Sequence, residues 1–269
     1  MRQRIAIPVA VIGILVVAVA LCFVFARAVS SEAEAATGKK ELLVYCGITM
    51  IKPMSEIARV IEEREDCKII ITKGGSGNLL RAIKVNKVGD LYLPGSDSYI
   101  KTCIKEGLVS ETVHVGYNKA ALMVQKGNPK GITNDLGNLA SPDYYVVICN
   151  PNSGSIGRET RKILERAGIF DQVSRNASQL TTDSKDLVNV LRNKEADLVI
   201  NWYATSTWPD NQPYVDVLSI DEQYAFKKKL VLGLLTFSKH PDIARKFMAY
   251  AASEKGKTLF EQYGLFDVK

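Results

Sequence analysis

Short apolar strands alternating with amphipathic helices constrain this chain more than any other feature. β-Branched and apolar runs read as strands at residues 42–45, 68–72, 90–93, 119–125, 144–149, 197–201 and 230–237. Between them, helical periodicity covers 53–63, where Met54, Ile57, Ala58 and Ile61 share one face, then 78–86, 98–106, 157–167 and 184–193. Two helices, 241–252 and 255–263, close the chain. Strand–helix alternation predicts an α/β fold with mostly parallel sheets covered on both faces. In such sheets ligands bind outside the carboxyl ends of the strands, so the loops that follow strands are the ones to inspect.

The N-terminus sets the compartment. Arg2 and Arg4 precede a 22-residue apolar run, residues 5–26. Basic residues before an apolar segment stay on the cytoplasmic side, so the remainder is expected outside it. The run is long enough to span a bilayer, which takes about 20 residues. Residues 1–35 are thus a signal peptide cut before Ala36 or an uncleaved membrane anchor. Cys22 follows Leu21, too bulky for a lipoprotein signal. Without residues 1–35 the net charge falls from +6 to +5, mildly basic and compatible with an anionic ligand. The Lys227-Lys228-Lys229 run reads as a solvated loop, not a nucleic-acid patch.

Three of the loops after strands are rich in Gly, Ser and Thr and lead into helices: 47–52, 74–77 and 153–157. A helix N-terminus offers unpaired N–H groups and a partial positive charge, glycine admits close approach, and a hydroxyl adds a donor. Ser76 or Ser155 taken alone is more often a structural N-cap; three such loops in one chain point to an anion site. No Gly-Lys-Ser/Thr follows them, so they are not a phosphate loop of the nucleotide-hydrolase type, and no GxGxxG opens the first helix. No cofactor or metal motif occurs. Cys46, Cys67, Cys103 and Cys149 form no CxxC pair, and read as buried thiols or as partners in one or two disulfides. His114, in a connector, and His240, before Pro241, read as surface or capping residues. The carboxylates Asp90 and Asp97 have only their spacing to recommend them as catalytic. No enzymatic activity is expected.

Six segments, in order, resemble the periplasmic molybdate-binding proteins of ABC transporters, within the type II periplasmic-binding fold. They are VYCGITMIKPMSEIA (44–58), GGSGNLLRAI (74–83), GDLYLPGSDSYI (89–100), NPNSGSIGRETRKIL (150–164), EADLVINWYATS (195–206) and KHPDIARKFMAYAASEKGKTLFEQYGL (239–265). The resemblance implies two lobes, 41–120 plus 232–269 and 121–231, hinged on crossover strands 119–125 and 230–237, with the ligand between them. It carries the family's hydroxyl donors onto Thr49 and Ser76, with the Gly77 N–H beside the latter. Backbone donors fall on the Ser155–Ile156–Gly157 turn and near Leu187, and the tyrosine contact falls on Trp202 or Tyr203. Arg158 departs from a neutral site; facing the cleft, it would favour a phosphate or carboxylate. The implied function is capture of a small oxyanion, molybdate or tungstate, by a monomeric receptor that serves an ABC permease. A receptor for a phosphorylated or carboxylated organic anion and a membrane-tethered sensory protein are the alternatives.

Overall fold

The computed structural model describes residues 39–265. The 1–35 signal or anchor segment lies outside them, and among the described residues no helix is long and apolar enough to cross a membrane.

The elements follow in the order β1 (Lys40–Gly47), α1 (Ile51–Glu65), β2 (Cys67–Gly74), α2 (Ser76–Asn86), β3 (Leu91–Leu93), α3 (Asp97–Lys105), β4 (Val109–Asn118) and β5 (Ala120–Gln125). Then come β6 (Val146–Cys149), α4 (Ser155–Arg166), α5 (Phe170–Asn176), β7 (Gln179–Thr181), α6 (Ser184–Arg192), β8 (Leu198–Trp202), β9 (Val215–Leu218), β10 (Lys228–Leu235), α7 (Pro241–Ala252) and α8 (Glu254–Gln262). They form two five-stranded sheets, ordered β2-β1-β3-β10-β4 and β7-β6-β8-β5-β9. In both, the second and third strands pair in parallel and the third and fourth antiparallel. The chain passes from one sheet to the other at Lys119 and returns between Leu218 and Lys228. β10 lies wholly in the first sheet, so the return precedes the expected crossover at 230–237.

Each sheet has its own core. Leu42, Val44, Leu91, Leu93, Leu232 and Phe247 pack on one face of the first sheet, and Tyr92, Tyr99, Ile100 and Ile83 on the other. Leu122, Val147, Ile148, Val199, Ile200 and Leu187 build the core of the second. Both sheets also use one polar device at the start of the third strand. Asp90 donates its N–H to Leu43 O and accepts Leu43 N–H at 2.8 Å on its carboxylate. Asp197 makes the same exchange with Tyr145, also at 2.8 Å. Asp90 further accepts from Ser238 Oγ, Lys239 N and His240 N, tying the β10–α7 turn to the sheet. This buried carboxylate is structural, not catalytic.

Edge position explains most differences from the sequence reading. The strands the pattern leaves out, β4, β7 and β9, all lie at sheet edges. An edge strand is held by backbone bonds to one neighbour and needs little apolar alternation. Thus His114, read as part of a connector, sits in β4 opposite Val231, its ring 2.8 Å from Gly116 O. Helix α5 buries only Val173 and gives as weak a signal. Among the described residues the four cysteines are buried free thiols, with no disulfide.

Near the return crossing, Glu159 on α4 is buried, with Lys228 Nζ at 3.0 Å and Arg166 at 3.7 Å. Burial outweighs both cations and raises its carboxyl above the ordinary 4.5. The folded state therefore holds this proton more tightly than the unfolded chain. The contribution to stability is complete below the ordinary value and is lost as pH rises through the folded one. Urea unfolding of Glu159→Gln from pH 4 to 7 should show a flatter loss of stability with rising pH than wild type. Asp90→Ala should cost roughly 3 kcal/mol or more, because several buried donors lose their acceptor at once, and Asp90→Asn should recover part of it; equal stabilities for all three proteins would remove the clamp.

Candidate functional site

The carboxyl ends of β1, β2 and β3 from the first sheet meet those of β6, β7 and β8 from the second. Between them lies a small void lined by Gly47, Ile48 and Thr49 after β1, Gly74–Ser76 at the end of β2, Gly95 after β3, Gly154–Ile156 after β6, Asp183 and Ser184 after β7, and Trp202 ending β8. It offers about 10 Å³ to the centre of a water-sized sphere, about what one water needs. Seating anything larger requires the facing loops to part.

Glycine N-caps shape this wall. The 3₁₀ turn at Ile48–Met50, which runs into α1, starts from Gly47; α2 starts from Gly75 and α4 from Gly154, each without a side-chain cap. The helices begin two residues earlier than the sequence periodicity suggests, so Ser76 and Ser155 are first-turn residues. Their N–H groups, with those of Ile156 and Ser184, have no intrahelical acceptor. Asp183 caps α6 by accepting from Lys185 N and Asp186 N. Burial, with Asp186 nearby, raises its carboxyl above the usual range. Among the described residues no lysine or arginine lines the void.

Both serine hydroxyls are oriented. Ser76 Oγ accepts the Gly95 N–H at 3.0 Å, and Ser155 Oγ accepts Trp202 Nε1–H at 3.1 Å. Each oxygen accepts one hydrogen bond from the protein, which leaves its own O–H to donate elsewhere. Tyr92 Oη donates to Ser76 O at 2.7 Å and fixes that turn from below. Asn118, the last residue of β4, bonds through Nδ2 to Thr49 Oγ1 at 3.2 Å and Gly95 O at 3.1 Å.

Of the residues expected at the site, Thr49, Ser76, Ser155, Ile156 and Trp202 line the void. The others do not. Gly77 donates its N–H to Ser153 O at 2.9 Å. Gly157 packs on the loop after β6, where an added Cβ would stand 2.3 Å from Asn150 O. The Leu187 side chain is in the core and its N–H donates to Asp183 O at 3.4 Å. Tyr203 donates its N–H to Lys119 O at 2.8 Å, and Trp202 takes the wall position in its place. Arg158 is half-buried and turned from the void: its guanidinium lies 3.8 Å from the Tyr99 ring centroid and reaches Ser98 Oγ at 3.4 Å. Sequence reasoning missed Gly95, Asp183 and Ser184. The Asp-Ser pair opening α6 was a readable capping signal; Gly95 follows a three-residue strand and had none.

The facing loops touch across the void. Ser153 O accepts from both Gly77 N and Asn78 N, and Arg81 Nη1 reaches Asn152 O at 3.0 Å. A Cβ on Gly77 would stand 2.4 Å from Asn152 O, and one on Gly75 would stand 2.6 Å from Ser153 O. Both are closer than van der Waals contact permits.

Residues 42–266 match the family of bacterial extracellular solute-binding proteins. The molybdate-binding protein ModA of Mycobacterium bovis is 21% identical over 238 residues, covering 87% of this chain and 88% of ModA. The periplasmic molybdate-binding protein of Azotobacter vinelandii has a similar fold, with TM-score 0.73 and 14% identity over 85% of this chain and all of that one. So has the periplasmic binding protein AfuA of Actinobacillus pleuropneumoniae, whose structure holds fructose-6-phosphate, with TM-score 0.72 and 18% identity over 85% of this chain and 84% of that one.

Gly77→Ala tests the loop contact. The variant should fold with a stability within about 1 kcal/mol of wild type, since Ala is favoured over Gly in helices by about that amount. Its radius of gyration in small-angle scattering should exceed that of wild type. Equal radii would show that the contact yields to the added methyl.

Proposed function

The chain belongs to the bacterial extracellular solute-binding protein family, a family of binding proteins and not of enzymes, and on that premise we propose that it captures a small tetrahedral oxyanion outside the cytoplasm for an ABC permease. Molybdate or tungstate is the ligand this reading favours. The two sheets with their helices act as lobes, dividing at Lys119 and within 219–227, and the oxyanion sits in the void between them. Contacts from both lobes then stabilise the closed form, so binding drives hinge closure.

The observation that carries this reading is the pair of serine hydroxyls, each already accepting one N–H and so held as a donor towards the void. Ser76 comes from the first lobe and Ser155 from the second. With the first-turn N–H groups they give a neutral shell of donors. Such a shell suits a dianion that leaves water, because the ion recovers hydrogen bonds at several oxygens and needs no counter-ion. The Asp183 carboxylate is directed at its own helix, which limits its repulsion of an anion. Export is supported by Arg2 and Arg4 ahead of the apolar run 5–26.

Thermal-shift screening of residues 36–269 against molybdate, tungstate, sulfate and phosphate tests the reading. A true ligand at a hundred times its Kd should add about 2.7 kcal/mol to stability, and no shift with any of the four would sink the proposal. Ser76→Ala should weaken binding about ten- to a hundredfold through one lost charge-assisted bond. It should also cost the empty protein about 1 kcal/mol, because Gly95 N–H loses its acceptor. A serine with a purely structural role would give the second effect without the first.

A further inference from the structure

Beside the void, and sharing Ile48 with it as a wall, lies a larger cleft of about 490 Å³. This volume falls within the usual range for small-molecule sites, roughly 300–1,000 Å³. The backbone runs directly from one space to the other: Gly74 lines the void and Lys73 the cleft, and Ser184 lines the void and Lys185 the cleft. The cleft therefore also lies between elements of the two sheets, directly beside the void.

Its lining differs in kind from that of the void. Lys73, Lys185 and Arg192 face it, and among the described residues none of the three forms an ion pair. The one carboxylate in the wall, Asp210, is engaged at 3.7 Å by Lys52. Two aromatic faces complete it. Tyr214 carries the Arg192 guanidinium 4.4 Å from its ring centroid. Trp208 is 9% exposed, and its indole N–H is buried without a protein partner. Three exposed cations without an ion-pair partner among the described residues, on one wall, favour a second negative charge.

We propose that this cleft is a second subsite, which holds the body of an organic phosphate whose phosphoryl group occupies the void. The ligand class is a small phosphomonoester carrying a further anionic group. Lys73, Lys185 and Arg192 meet that second charge, and Trp208 and Tyr214 contact the carbon chain. The inference rests on the void being the oxyanion site, and it widens the accepted ligands from free ions to their esters.

Isothermal titration with 6-phosphogluconate, inorganic phosphate and gluconate, on wild type and on the surface double variant Lys185→Gln/Arg192→Gln, tests it. The expected result is at least tenfold tighter binding of 6-phosphogluconate than of inorganic phosphate. The double variant should lose that advantage and keep its affinity for inorganic phosphate within twofold. No advantage for the ester in wild type, or an equal loss for both ligands in the variant, overturns the subsite. Ser76→Ala separates the premise from the inference. If the void is the oxyanion site, it weakens both phosphate ligands together. If it changes neither while the double variant abolishes 6-phosphogluconate binding, the void reading fails and the cleft binds by itself. Gluconate binding as tight as 6-phosphogluconate would also overturn the proposal, because the phosphoryl group would then contribute nothing.

Discussion

The Ser153 carbonyl, accepting from the Gly77 and Asn78 N–H groups, is the contact on which the site depends. It joins the loop after β6 to the first turn of α2 and so brings the two sheets together at their strand ends. Only glycine permits it, because a methyl at Gly75 or Gly77 would overlap a carbonyl oxygen of the opposite loop. The consequence is chemical as well as geometric. Two of the donors at the start of α2 are used in the contact, and what remains for a ligand is the Ser76 hydroxyl and its own N–H.

Apart from the Asp183 carboxylate, the void is lined by neutral groups, and the cations lie around it. Arg158 is withdrawn onto Tyr99, Arg81 holds the Asn152 carbonyl, and Lys73, Lys185 and Arg192 stand in the outer cleft. On the reading proposed here, the inner shell of neutral donors selects by size and by the number of oxygens that can accept, and the outer basic rim adds a second level of selection by meeting a further charge on the ligand. Asp183 sits in the wall of the void with its carboxylate turned to the N–H groups of its own helix, and burial raises its pKa.

The two sheets repeat one arrangement without a detectable sequence repeat. In both, a parallel pair carries loops that line the void, and an aspartate at the start of the third strand exchanges hydrogen bonds with the second. Asp90-Leu91 and Asp197-Leu198 are the residues that coincide between the two sheets at this position. Few other positions need to agree, because a strand core accepts any well-packed apolar set, whereas a buried carboxylate that satisfies a backbone N–H has few substitutes.

Periodicity and turn chemistry determined the α/β class, the interior strands, the long helices and the three glycine-rich loops, because these depend on local conformation and on which face of an element is buried. Thr49, Ser76 and Ser155 could be named for the same reason, since each stands in a loop that opens a helix, whereas Ile156 was named through the family resemblance. The tertiary structure alone decided the rest. Edge strands β4, β7 and β9 exist through backbone pairing with a neighbour, which leaves little trace in side chains. Whether an N–H at a helix start faces a ligand or a neighbouring carbonyl depends on a loop some 75 residues away, as for Gly77 and Ser153. That Trp202 and not Tyr203 meets the void, and that Arg158 stacks on Tyr99, follow from how the two sheets face one another, a relation between distant segments that local pattern does not encode.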